Sequence, residues 1–133
     1  TFACDGRILP GVAERLNTLA NDLDVHILTA DTFGTAQEAC RGIKGKIVVL
    51  REAVTGPEKA SYVEKLGAAS TVAIGNGAND VPMLRRAALG VVVLGPEGTA
   101  VEAVQAADVL VRDVNDALDL LLHPKRLVAT LRQ

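Results

Sequence analysis

Aromatic residues are nearly missing from this 133-residue sequence: Phe2, Phe33 and Tyr62 are its whole complement, and it has no Trp. A core of ordinary size must then be built from Val, Leu, Ile and Ala, the usual filling between a parallel sheet and its helices, which favours α/β over a β-sandwich. Cysteine is scarce as well. Cys4 and Cys40 are too few for a disulfide framework and lack metal-ligand spacing, so a reducing compartment and two thiols without a role are expected. There is no cationic excess: 14 Lys and Arg stand against 16 Asp and Glu, a formal charge of -2, and the basic residues are scattered. That excludes nucleic acid as an expected partner. No run approaches the ~20 apolar residues of a membrane span, and no charged-then-apolar leader opens the chain. A cytoplasmic protein with no membrane partner is expected. An initiator Met is absent too: the chain opens Thr1-Phe2-Ala3-Cys4-Asp5-Gly6, an amino end that need not be the natural one.

What is present is apolar and periodic. Hydrophobic residues make up 49% and charged residues 23%, the balance of one globular domain, so residues 1–133 are read as a single domain. Pro10 and Gly11 lead into Val12, Leu16, Leu19 and Leu23, whose spacing marks one stripe of a helix over 10–22 with proline near its first position. Val25-His26-Ile27-Leu28 then reads as a buried strand ending at the polar Thr29-Ala30-Asp31-Thr32. Helices are predicted over 34–41, 57–66, 79–88, 97–106 and 113–122, the last capped by Asp113, with a short helix after Pro124. Strands are predicted over 46–50, 71–74, 90–94 and 109–111. This alternation, without repeat or linker, specifies βαβ units with right-handed crossovers and a three-layer, Rossmann-like parallel sheet. In such sheets ligands bind beyond the carboxyl ends of the strands.

The polar signals sit at those ends. Thr29 offers a hydroxyl, and Ala30 and its neighbours offer backbone N–H groups, at a strand-to-helix turn able to grip phosphate oxygens; the plainer alternative is that Thr29 or Asp31 caps the next helix. Gly75-Asn76-Gly77-Ala78-Asn79-Asp80 is the strongest motif. Two glycines permit a tight turn, while Asn76 and Asp80 can bind a hard cation directly or through water. The alternative there is an ordinary turn, with Asp80 as N-cap and Pro82 in the first helical turn. A dinucleotide fingerprint is excluded because Asp80 stands where a third glycine is required. Lys59 begins a helix whose apolar face is Ala60, Val63 and Leu66, so its ammonium either reaches the same rim or is solvated.

Taken together, Thr29, Lys59 and the 75–80 loop, in that order, resemble the haloacid dehalogenase (HAD) superfamily, over nearly the whole chain. Leu28-Thr29-Ala30-Asp31 and the run from Gly75 to Pro82 are most similar to the phosphorylation domain of P-type ATPases. The resemblance implies a HAD-like core and a phosphatase acting through an aspartyl-phosphate, with Mg2+ as cofactor. It implies that Thr29 holds the transferring phosphoryl group and Lys59 neutralises it. Ala30 and Asn79 would assist in binding phosphate, Asn76 and Asp80 would hold the metal, and Asp80 would join Thr29 and Lys59 in catalysis. Phosphorylated small molecules or phosphoproteins would be the substrates.

Two departures bear on activity. The nucleophilic Asp that the family carries at the end of its first strand has no counterpart here. Aligning Asp5-Gly6 with that motif would put Ala3 at the nucleophile and leave no strand before it. Thr1 fits the last position of the motif, so the expectation is that the chain begins just after its own nucleophile. A longer parent would then supply the missing central strand, whose absence otherwise leaves a gap with unpaired backbone groups. The second departure is Asn76, an amide where the family has a carboxylate. The chain as given is therefore expected to be inactive or nearly so, uncapped apart from a small flap over Phe2 to Leu9. The rival expectation is a non-catalytic phosphate-binding or regulatory module. A receiver-like phosphoacceptor domain ranks below both, since neither Asp5 nor the Asp22 to Asp24 segment follows a strand-like run. His26 and His123 are read as structural, and oligomeric state is not legible.

Overall fold

The computed structural model describes residues 1–30, 34–50 and 55–133. At the amino end β1 (Ala3–Cys4) pairs antiparallel with β2 (Arg7–Ile8), with Ala3 opposite Ile8. The two connecting residues, Asp5 (φ 51°) and Gly6 (φ 77°), are both left-handed, as a two-residue hairpin turn of the favoured twist requires and as Asp-Gly tolerates. This hairpin is what the segment expected to form no more than a small flap builds. Helix α1 (Val12–Leu19) then buries Val12, Leu16 and Leu19 of the predicted stripe, while Leu23, its expected fourth member, lies beyond the helix and is 48% exposed. It opens two residues later than predicted, because Gly11 takes φ 85° and breaks the helical path between Pro10 and Val12.

The rest alternates: β3 (His26–Thr29), α2 (Thr35–Ala39), β4 (Lys46–Val49), α3 (Thr55–Leu66), β5 (Val72–Gly75), α4 (Val81–Arg86), β6 (Leu89–Val93), α5 (Val101–Ala106), β7 (Val109–Val111), α6 (Val114–Leu122) and α7 (Pro124–Leu131). Two of the expected helices are shorter at their starts. Residues Ala78–Asp80 form a tight 3-10 turn before α4, and a turn closed by Gly98 N–H on the Gly95 carbonyl (3.0 Å) precedes α5. Asp113 caps α6 as expected, accepting from the Asp116 N–H at 3.1 Å. The loop role and cap expected of Asp31 lie outside the described residues.

The result is an α/β fold of parallel strands. β4 pairs with β3, Lys46 beside His26, and β5, β6 and β7 form a second parallel set with β6 in the middle. β6 shows why the core is aliphatic. Val91 and Val93 face α1 and α6, in a cluster with Val12, Leu16, Val114 and Leu118, while Val92 faces α3 to α5, beside Val63, Met83, Leu84 and Ala103. Each of these fully buried valines contributes about 1.5–3 kcal/mol by leaving water. Gly90 lets α4 approach, since a Cβ there would sit 2.5 Å from the Leu84 carbonyl oxygen.

The two parallel sets are not joined. Among the described residues β3 pairs only with β4 and β5 pairs only with β6. Between them lies a cavity of about 590 Å³ lined by residues 25–28 on one side and 71–74 on the other.

Candidate functional site

The cavity between β3 and β5 is lined at the carboxyl end of β5 by polar groups that the 75–80 loop gathers. Asp80 is its centre. The tight turn at Ala78–Asp80 carries the carboxylate back over the end of β5, where Oδ2 accepts from the N–H groups of Asn76 (2.9 Å) and Gly77 (3.0 Å). Gly75 is needed for this fold-back, because a Cβ at that position would lie 2.6 Å from the Asp80 carboxyl group. The other oxygen, Oδ1, meets Lys59 Nζ at 2.6 Å, and the side chains are only 5% and 12% exposed. The choice between a solvated lysine and a rim-facing one is thus decided for the rim. A buried ion pair of this kind is balanced against desolvation and becomes costly only when one partner is removed.

Around this pair the loop is fixed on both sides. Asn76 Oδ1 accepts from the Thr1 hydroxyl at 2.9 Å, its Nδ2 donates to the Gly98 carbonyl at 3.0 Å, and its own carbonyl accepts from the Ala100 N–H at 2.9 Å. Asn79 Nδ2 donates to Thr55 Oγ1 at 3.3 Å. Thr55 is buried and was not singled out in the sequence, although it lies one helical turn before Lys59 on the same face of α3. Thr1 was likewise read as a remnant of a motif and not as a partner of Asn76. Its amino group is pushed below its ordinary pKa by burial, an effect that Asp80 and Glu97 partly oppose.

Thr1, Lys59, Asn76, Asn79 and Asp80 all line the cavity between β3 and β5. Thr29 ends β3 on the far side of that cavity but is not among its lining residues, nor is Ala30. The carbonyl of Thr29 accepts from the Leu50 N–H at 2.7 Å, which anchors the end of β3 to β4. His26 Nδ1 lies 2.7 Å from the Tyr62 hydroxyl, with the rings edge to face, so it ties β3 to α3. Desolvation pushes the Cys4 and Cys40 thiols up, with Asp5 and Glu97 adding to the effect at Cys4. A raised thiol pKa leaves less of the reactive thiolate at neutral pH.

The donor set sets a limit on metal chemistry. A hard divalent cation takes about six oxygen ligands, preferably several anionic. This loop offers one carboxylate, engaged by an ammonium and two N–H groups, and two amide oxygens, of which that of Asn76 accepts from a hydroxyl. Among the described residues no group of three or more His, Cys, Asp or Glu is placed to hold a metal ion. The described residues alone do not make a magnesium site.

No protein-family model matches the chain. An uncharacterised protein of Methanocaldococcus jannaschii is 51% identical over 61 residues, which span 46% of this chain and 66% of that relative. Among solved structures, the 3-deoxy-D-manno-octulosonate 8-phosphate phosphatase of Moraxella catarrhalis, in complex with magnesium, phosphate and KDO, superposes with a TM-score of 0.73 at 16% identity, covering 95% of this chain and 78% of that one. The cobalt-bound deoxy-D-mannose-octulosonate 8-phosphate phosphatase of Haemophilus influenzae gives 0.73 at 14% identity over 88% of this chain and 72% of that one. The catalytic domain of the CPx-ATPase CopB gives 0.69 at 22% identity, over 85% of this chain and 45% of that one. The chain therefore has the fold of the HAD hydrolases, shared with these phosphatases and with the catalytic domain of a P-type ATPase.

Proposed function

We propose that this chain is the phosphate-handling part of a metal-dependent phosphohydrolase that works through an aspartyl-phosphate and needs a carboxylate nucleophile supplied ahead of Thr1. The observation that carries this reading is the buried Lys59–Asp80 pair, held at the carboxyl end of β5 with Asn76, Asn79 and Thr1 around one cavity. Lys59 is the cation that would meet a transferring phosphoryl group, with the Thr29 hydroxyl and the Ala30 N–H approaching from the end of β3. Asn79, fixed by Thr55, would orient a phosphate oxygen from the other side. Mg2+ would enter only together with the added carboxylate, Asn76 and Asp80 being this chain's contribution to its site. The hairpin covers little, so a phosphorylated metabolite and a phosphoprotein side chain both have access.

The second reading, a phosphate-binding or regulatory module without chemistry, is favoured by one feature: both oxygens of Asp80 are already engaged within the chain. The test compares hydrolysis of an aryl phosphate in Mg2+ by the 133-residue chain and by a version extended with an apolar strand ending in Asp. Hydrolysis by the extended form alone, lost on changing that Asp to Asn, supports the enzyme. A folded extended form that binds inorganic phosphate without turnover supports the module instead.

A further inference from the structure

Asn76 reaches from the 75–80 loop to residues 98–100 twice. Its side-chain Nδ2 donates to the Gly98 carbonyl at 3.0 Å, and its main-chain carbonyl accepts from the Ala100 N–H at 2.9 Å. The segment it meets is fixed from within. Gly98, at φ 84°, donates its N–H back to the Gly95 carbonyl at 3.0 Å, and the Thr99 hydroxyl donates to the carbonyl of Val93, the last residue of β6, at 2.6 Å. The Gly98 carbonyl is thus held against position 76 by its own turn. A carbonyl only accepts, so the group facing it must be the amide nitrogen, which leaves Oδ1 for the Thr1 hydroxyl at 2.9 Å. Aspartate has the same shape and no donor. At this position it would set a negatively charged oxygen against the Gly98 carbonyl, and the two would repel unless a cation lay between them.

We infer that Asn76 is a positioning residue required for its N–H donor: it joins the 75–80 loop to the 95–100 turn without a metal ion, and aspartate is the poorer residue at this position. The amide then does alone what a carboxylate there could do only with a cation. A sequence reading that treats Asn76 as a weakened metal ligand, to be repaired by restoring the acid, has the sign of that substitution reversed. The inference goes beyond the functional reading, in which Asn76 lends Oδ1 to a metal, and is independent of it, because the N–H and not Oδ1 carries it. A role in filling space predicts a different order of variants. Aspartate keeps the volume of the side chain and alanine does not, so packing alone makes Asn76→Ala the worse of the two. A required donor makes Asn76→Asp the worse, since it loses the hydrogen bond and adds a repulsion.

The test follows exchange of the Ala100 amide proton in the parent chain, Asn76→Asp and Asn76→Ala, each in EDTA and in Mg2+, with the amides of residues 91–93 as internal reference. In EDTA the Ala100 amide should exchange slowest in the parent, faster in Asn76→Ala and fastest in Asn76→Asp, the last by about tenfold or more, the change that losing one hydrogen bond of ordinary net strength produces. Residues 91–93 should keep the parent's rates, because the turn parts from the loop while β6 stays packed. Mg2+ should leave the parent's Ala100 exchange unchanged. Should Asn76→Asp not fold, Asn76→Ala still decides, since it removes the donor and adds no charge; exchange at Ala100 equal to the parent's would overturn the proposal. So would Asn76→Asp matching the parent in EDTA, Asn76→Ala exchanging faster than Asn76→Asp, or Mg2+ slowing exchange at Ala100 in the parent. Equal acceleration of Ala100 and of residues 91–93 in Asn76→Ala would overturn it as well, by assigning the loss to the whole fold.

Discussion

At the residue scale the site rests on one carboxylate with three duties, because Asp80 closes the turn with two N–H groups, pairs with Lys59, and faces the cavity. The motif around it was legible as a glycine-bent turn after a strand, although Asn-Gly and Asn-Asp also serve ordinary turns. The direction of Lys59 was not, since a lysine in the first turn of a helix reaches solvent or a neighbouring loop equally well, and only the packing of α3 against the 78–80 turn selects the latter. Replacing Lys59 by Met leaves the Asp80 charge buried without its cation and should destabilise the fold by about 3 kcal/mol. Asp80→Asn alone strands the ammonium. The pair should therefore be strongly coupled, the double variant costing clearly less than the sum of the two single ones in guanidinium titrations. Additive losses would mean that the ion pair carries no weight in the folded state.

At the element scale, α6 was predicted to within one residue because its cap, Asp113, and its apolar stripe agree. The hairpin β1–β2 escaped notice as strands because two-residue strands carry no periodicity; only Asp5-Gly6 signals them. How α6 is held to α1 was also not legible, since the bond joining Arg15 Nε to Asp119 Oδ1 at 2.8 Å spans 104 positions of sequence. That hydrogen bond, reinforced by the Arg15 charge, holds the Asp119 carboxyl below its usual range. The folded pKa is thus lower than the unfolded one. The pair's stabilisation is complete above the ordinary aspartate value of about 3.9 and is lost as pH falls through the lower, folded value. With side chains 32% and 26% exposed, the effect is screened and modest. Asp119→Asn should therefore be somewhat less stable than the parent at pH 7, and the two should converge in acid. A gap that persists at pH 2, or that salt leaves untouched, would assign the loss to packing.

At the scale of the whole molecule, the order of elements follows from alternation alone, whereas the gap in the sheet was expected only from the family resemblance and its missing first strand, since no residue in β3 or β5 itself announces it. The two halves are unequally buried. β6 has Val91, Val92 and Val93 at 1% exposure or less and contributes to the clusters on both faces, whereas Val49 of β4 is 46% exposed and no β4 residue belongs to either cluster. β3 reaches the main body through Ile27, Leu28 and the His26–Tyr62 contact. Regions with few buried apolar contacts open at lower free energy than the global transition. Native-state exchange should then show residues 26–29 and 46–49 opening together, well below the free energy needed to expose residues 91–93 and 109–111. Tyr62→Phe should lower the first without changing the second, because it removes a link to β3 and leaves the α3 packing in place. If all four strands instead exchanged at one common limit, β3 and β4 would be as firmly held as β6, and the cavity between β3 and β5 would not divide the molecule energetically.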